Sequence, residues 1–355
     1  MAIIRTMRRR ALALATLLLV VPAFDGLARD AGQRPGGAGP MRQKRADLVR
    51  QAKLAEETQR RFGTPDAVLA WVNNYRLEPE PEKVAIAVKA MARLGMFDEP
   101  ERAGVYFGFL GGVIADNQVK AKELIGSFFP LRPEHQIGVI RAIAASGLPE
   151  WKDLLGHFAE RMPARSGLIA QYLTGKLKPL SERKFEESPE VLDSYWGYYF
   201  ATGAHQPVIR IISALPLAAD RNSLEKLTVG AMAKWTLATN AQREKDLLDL
   251  ARAEMKYQPK AVKKELAEVI KAAENFETAK LRKNAVAAIE RLRAKGPEAA
   301  RNWVWWGTAV QTVIAVGCVA LSVAGIPEAG IPCVIGGAVA TGATRMLAPT
   351  FGAQQ

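Results

Sequence analysis

The sequence predicts an all-α protein: an irregular α-solenoid of helix–turn–helix units followed by a C-terminal hydrophobic helical hairpin. Three observations predict it. From about Ala46 to Lys295 apolar residues recur three and four apart, and alternation of polar and apolar positions is almost absent. The triplet Ala201-Thr202-Gly203 returns in near copies, Ala145-Ser146-Gly147 and Ala238-Thr239-Asn240, each beside an amphipathic run. Between Asn302 and Thr344 the single charged residue is Glu328.

The N-terminus has the form of an export signal. Arg5, Arg8, Arg9 and Arg10 precede a largely apolar run from Ala11 to Phe24, and Gly26-Leu27-Ala28 places small residues where a signal peptidase cuts. The run is shorter than the roughly 20 residues of a membrane span. Residues 1–28 are therefore expected to be a signal peptide, with an uncleaved anchor as the alternative. The full chain carries a formal charge of +13, and removing four arginines and Asp25 would leave +10. A surplus of that size attracts anionic lipid or acidic polysaccharide without specificity. Nucleic acid is not an expected partner of an exported chain. Residues 29–44, "RDAGQRPGGAGPMRQK", are rich in Gly, Pro and charge without an apolar period, and read as a flexible linker.

Residues 45–295 form the predicted helical domain. Thr64-Pro65-Asp66 and Ser188-Pro189-Glu190 each place a hydroxyl before a proline at a first helical position. Asp220 or Asn222 is expected to start a helix running through Trp235, and Leu77–Lys83 reads as an extended acidic loop. In residues 258–295, Lys and Glu three and four apart support an exposed face. Trp71, Trp151, Trp196 and Trp235 fall on apolar faces and read as packing residues.

The repeated triplet reads as a helix stop. Leu192, Tyr195, Trp196 and Tyr199 share one helical face before Gly203, and Val208, Ile211, Ile212 and Leu215 share one after it. Gly147 is followed by Trp151, Leu154, Leu155 and Phe158 at the same spacing, and Asn240 by Leu247, Leu250 and Ala251. A weaker copy has Gly95 at the joint. Glycine takes the left-handed conformation beyond a helix end freely, and asparagine is its commonest substitute. Gly95, Gly147, Gly203 and Asn240 are thus the expected stops, spaced 52, 56 and 37 residues. Over residues 64–256 this pattern resembles tetratricopeptide-like and similar helical-repeat proteins of the bacterial envelope. The resemblance implies binding of another protein.

The tail opens with Trp303, Trp305 and Trp306, residues suited to a membrane interface. After the turn Pro327-Glu328-Ala329-Gly330, Gly336, Ala340 and Thr344 lie four apart, the small-residue spacing of close helix contact in lipid. Residues 302–347 are expected to form a hairpin in the inner membrane, followed by a short tail, 348–355. A hairpin packed on the soluble domain is the alternative. Cys318 and Cys333, both in this segment, are a possible disulfide. In a simple hairpin they are out of register by about 9 Å along the axis. An extended return of residues 326–332 closes that gap.

Motifs for chemistry are few. There is no Gly-x-Ser-x-Gly, no phosphate-binding loop and no His-Glu-x-x-His, and His135, His157 and His205 are 22 and 48 residues apart. No cofactor, metal or enzymatic activity is expected. The chain reads as an exported scaffold on the periplasmic side of the inner membrane that binds an unidentified envelope protein. Two alternatives remain: a cell-wall hydrolase of muramidase type, with Glu186, Glu187 and Glu190 the nominated carboxylates, and a protein that acts on membranes through its hairpin.

Overall fold

The computed structural model describes residues 60–296, together with Arg45, Leu48, Val49 and Glu56. Two compact units divide after residue 51; Arg45, Leu48 and Val49, helical and exposed, belong to the first, and residues 60–296 belong to the second. The expected signal peptide, linker, hairpin and tail, and with them Cys318 and Cys333, lie outside the described residues.

The described chain is helical, with no strand among the described residues. Its α-helices are α1 (Pro65–Asn74), α2 (Val84–Arg93), α3 (Gly104–Asp116), α4 (Ala121–Phe128), α5 (Gln136–Ala145), α6 (Trp151–Phe158), α7 (Ser166–Leu173) and α8 (Pro189–Thr202). There follow α9 (His205–Ser213), α10 (Leu224–Arg243), α11 (Lys245–Glu254), α12 (Lys260–Glu274) and α13 (Thr278–Arg293).

Helix starts follow local chemistry. Thr64 Oγ1 accepts from Ala67 N at 3.2 Å, and Ser188 Oγ from Glu190 N at 3.2 Å, each ahead of a proline at the first helical position. At α10 the two jobs are divided. Asp220 Oδ1 accepts from the backbone N of Asn222 and Ser223, at 2.8 and 2.7 Å, and so shapes the turn. Ser223, rather than Asp220 or Asn222, is the cap, its hydroxyl accepting from Lys226 N at 3.3 Å.

The expected stops divide three to one. Gly95, Gly147 and Gly203 have φ of +72°, +71° and +66°, the left-handed region. At Gly203 the chain leaves α8, with Gly203 N donating to Tyr199 O at 2.8 Å, and α9 begins at His205. Asn240 is no stop. The helix α10 runs through it to Arg243, and Asn240 is buried. The physical reason is local: Ala241-Gln242-Arg243 are good helix formers, and no glycine offers a cheap left-handed exit. The break comes at Glu244, whose φ of −122° and ψ of 108° are extended instead.

Two hubs organise the helices. The first is α3, apolar on every side and buried from Gly104 to Ile114. It packs along α8 and against α5. Gly104, Gly108 and Gly112, four apart, form its face toward α8. A Cβ on Gly108 would lie 1.8 Å from Ser194 O, and one on Gly104 2.3 Å from Glu190 O. From the other side, a Cβ on Gly197 would lie 1.9 Å from Val105 O. These helices therefore touch backbone to backbone. The second hub is α10, which packs on residues 215–219, α12 and α13. Consecutive helices also pair, α5 with α6, α6 with α7, and each neighbouring pair from α8 to α13. The contact of α3 with α8 joins segments far apart in sequence, beyond the nearest-neighbour pattern of a regular solenoid.

The tryptophans split. Trp196 is fully buried, its Nε1 donating to Thr236 Oγ1 at 3.0 Å, and Trp235, on α10, is buried with the Arg282 guanidinium 5.5 Å over its ring. Trp71 and Trp151 are half-buried at the edge of the core. The loop Leu77–Lys83 is less extended than its composition implies, because Pro81–Lys83 forms a 3-10 turn. Within it Glu80 accepts from Arg61 Nη1 at 2.8 Å, Trp71 Nε1 at 2.9 Å and Lys83 Nζ at 2.5 Å.

Candidate functional site

The second hub carries a groove of about 310 Å³. Its position starts from one residue, Gly230 on α10. A Cβ there would lie 2.0 Å from Ala218 N, so the glycine lets residues 215–219 press onto the helix. That segment supplies one wall, with Ala218 and Ala219. α10 supplies the base through Leu227 and Ala231, and α13 the opposite wall through Leu281, Ala285 and Ala288. Small side chains dominate these walls, so an occupant can approach the backbone closely.

Charge is arranged around this surface. Lys234, on α10, is nearly buried and bridges two carboxylates of α12, Glu265 Oε2 at 2.7 Å and Glu268 Oε2 at 2.5 Å. This triad fixes α10 to α12 and is internally neutralised apart from one excess negative charge. Three more cations line the groove: Arg221, Lys264 and Arg291. Among the described residues none of the three has a carboxylate partner within ion-pair distance. Arg221 donates to the carbonyls of Ala218 and Asp220 at 3.2 and 3.0 Å, which holds its guanidinium at the groove's edge. Asp220 remains anionic beneath it: burial opposes its ionised form, but the amides of Asn222 and Ser223, then Lys226 and Arg221, outweigh burial and hold its carboxyl below the usual range.

The sequence did not point to this site. Gly95, Gly147 and Gly203 lie at separate helix ends and converge on nothing. His205 is the exposed first residue of α9, and His157 stands edge-on to Phe158. The nominated carboxylates also have other places. Glu190 is buried, with both oxygens taken by Arg183 Nη1 at 3.0 and 2.9 Å and Arg141 Nη1 at 3.3 Å. Burial disfavours the charged form of Arg183, yet Glu190 outweighs that and raises the guanidinium's pKa further. The space beside this cluster is about 10 Å³, no more than one water needs. A sugar ring has no room there. Glu187 accepts from Lys184 N at 3.2 Å and closes a 3-10 turn, with Glu186 next to it in the same turn.

Among the described residues, no three of His, Cys, Asp and Glu are grouped as metal ligands. Among the described residues, no helix is long and apolar enough to cross a membrane. Lys264 and Arg291 were visible in the sequence only as part of a charged helical stretch, and Arg221 lies outside it, in the turn before α10. A signal was present in the alanines at positions 285 and 288, on the same side of α13 as Leu281, but the opposing wall comes from residues some sixty positions earlier.

The class that these observations define is an all-α protein with a cation-rimmed groove. No family model, curated protein or solved structure matches the chain.

Proposed function

We propose that the chain is an exported helical scaffold on the periplasmic side of the inner membrane. The apolar segment 302–347 tethers it as a hairpin, and the groove between α10, α12 and α13 binds an envelope protein. In this reading the helix pairs of the C-terminal half are units of an irregular solenoid, and α3 is the spine that closes the N-terminal half on α8. The observation that carries the reading is the set of cations around the small-residue groove, Arg221, Lys264 and Arg291, none of them within ion-pair distance of a carboxylate among the described residues. Such a rim favours an acidic occupant, and walls of alanine favour one that packs through a narrow ridge. The partner is therefore an acidic amphipathic helix. The chain's own uncharged stretch, 302–327, fits less well, since it would cover three cations and the Lys234 triad without supplying counter-charge.

The test is photocrosslinking in intact cells, with the reactive residue at the exposed Asn284. A discrete protein adduct is expected, lost when Lys264 and Arg291 are both changed to Glu. Adducts to lipid or glycan alone, or a protein adduct indifferent to charge reversal, would count against the scaffold. Membrane tethering is tested separately: carbonate extraction is expected to leave the full chain in the membrane pellet.

A further inference from the structure

A second concavity lies between the loop after α2, the 3-10 turn Pro133–His135 and the 3-10 turn Pro163–Arg165. It is an open depression of about 460 Å³, and its residues are distinct from those of the groove. We propose that this depression binds a small monocarboxylate with an apolar body, clamped by Arg165.

Arg165 carries the argument. Its Nε donates to Pro133 O at 2.8 Å, a bond between the two turns that fixes the plane of the guanidinium. Its two Nη groups have no partner among the described residues. A half-buried guanidinium held from behind in this way presents a preorganised fork, and a carboxylate matches that fork with two parallel hydrogen bonds. The second cation is Arg132. Its Nε lies 3.2 Å from Glu134 Oε1, and its Nη2 lies 3.4 Å from His135 Nε2. The positive field is felt at Glu134. Its own backbone hydrogen bond is the first cause that holds its carboxyl below the usual range, and Arg132, His135 and Arg165 add to it against burial.

The remaining surface sets the rest of the ligand. Phe97 is buried beneath the depression, stacked on Phe107 at 6.2 Å, and the half-buried Ile137 beside it gives the depression an apolar patch. Asp98 and Glu134 also line the depression. Two arginines and two carboxylates leave these side chains without net charge, so a dianion would bring a second charge to desolvate with no surplus cation to offset it. A monocarboxylate, matched to the single fork of Arg165, is favoured over a phosphate dianion. His135 is buried, with Nε2 3.4 Å from Asp98 Oδ1, and so sits where it senses occupancy.

The test follows the imidazole resonances of the full chain by NMR. There are three histidines, so His135 can be assigned and His157 and His205 serve as internal controls. The probes are benzoate, acetate and inorganic phosphate at matched ionic strength. A saturable shift of His135 is expected with benzoate and a weaker one with acetate, while phosphate behaves like chloride. Arg165→Gln is expected to weaken benzoate binding by roughly tenfold or more, and Arg165→Lys, which keeps the charge but loses the fork, to recover only part of it. The proposal is overturned by the absence of a saturable His135 shift with benzoate, or by equal shifts with benzoate and phosphate. A folded Arg165→Gln variant that binds like the wild type overturns it as well. If that variant does not fold, the wild-type titration and Arg165→Lys decide.

Discussion

Gly108 and Gly203 both resist a side chain, for different reasons. At Gly203 the nearest atoms to a built Cβ are those of Arg76, at 3.8 Å, so space is available and the cost is conformational. Holding alanine at φ +66° is expected to destabilise the protein by about 1–2 kcal/mol. At Gly108 the conformation is ordinary and space is missing, because the Cβ would overlap the backbone of Ser194. Backbone cannot rotate away as a side chain can, so α3 and α8 must separate along their length. Gly108→Ala is expected to cost about 3 kcal/mol or more, at the upper end of overpacking effects. Urea denaturation of the two variants checks the order. A Gly203→Ala variant less stable than Gly108→Ala would mean that the left-handed stop matters more than the close helix contact.

At the scale of elements, Glu80 shows how one carboxylate secures three pieces of chain. It binds Arg61 before α1, Trp71 within α1 and Lys83 in the 3-10 turn. Burial alone would raise its carboxyl, but the hydrogen bonds of Lys83, Trp71 and Arg61 outweigh it and lower the pKa from 4.5 to about 2. A folded-state pKa below the unfolded one gives stability that is complete above about pH 4.5 and lost as pH falls toward 2. Glu80→Gln is expected to lower stability at neutral pH and to flatten its dependence on pH between 5 and 3, measured from urea midpoints. An unchanged slope would show that other carboxylates govern that range. The sequence read Glu80 only as part of an acidic loop, because its three partners meet it through tertiary packing. Helix starts with a hydroxyl and a proline were legible at Thr64 and Ser188, since the cap is a local bond. The stop at Gly203 was legible for the same reason. Asn240 misled because a triplet resembling a stop does not end a helix whose next residues favour helix and whose buried face continues through Ala241. The spacing of Gly104, Gly108 and Gly112 was also open to reading. It did not reveal its partner, Gly197 on α8, since nothing local in the chain says which helix will lie against it.

At the scale of the whole molecule, the question is whether the two hubs fold as one. One link is the bond from Trp196 on α8 to Thr236 on α10, and a second, through α11, is Arg76, just beyond α1. Its backbone N donates to Phe200 O at 3.0 Å, and its guanidinium stacks 4.9 Å over the Tyr199 ring. The same guanidinium pairs with Glu244, at the head of α11, and lies 3.4 Å from Asp246, which accepts from Tyr199 OH at 2.8 Å. Arg76 and Glu244 are both largely buried, so removing one leaves a poorly solvated charge. Arg76→Ala is expected to destabilise by about 3 kcal/mol, and the shape of the transition is more informative than its midpoint. In an array where each unit touches only its neighbours, segments melt separately once an interface is weakened. Here α8 touches α1, α3 and α9, and Arg76 adds a bridge to α11, so the described domain should unfold in one step. Far-UV circular dichroism follows all helices, whereas fluorescence of a chain whose other six tryptophans are replaced by Phe reports on Trp196, which bonds across from α8 to α10. The two are expected to give coincident curves with Arg76 in place and to separate in Arg76→Ala, with the α10 hub outlasting the rest or yielding first. Separate curves already with Arg76 in place would mean that the contact of α3 with α8 does not couple the halves, and that the molecule behaves as a row of helix pairs.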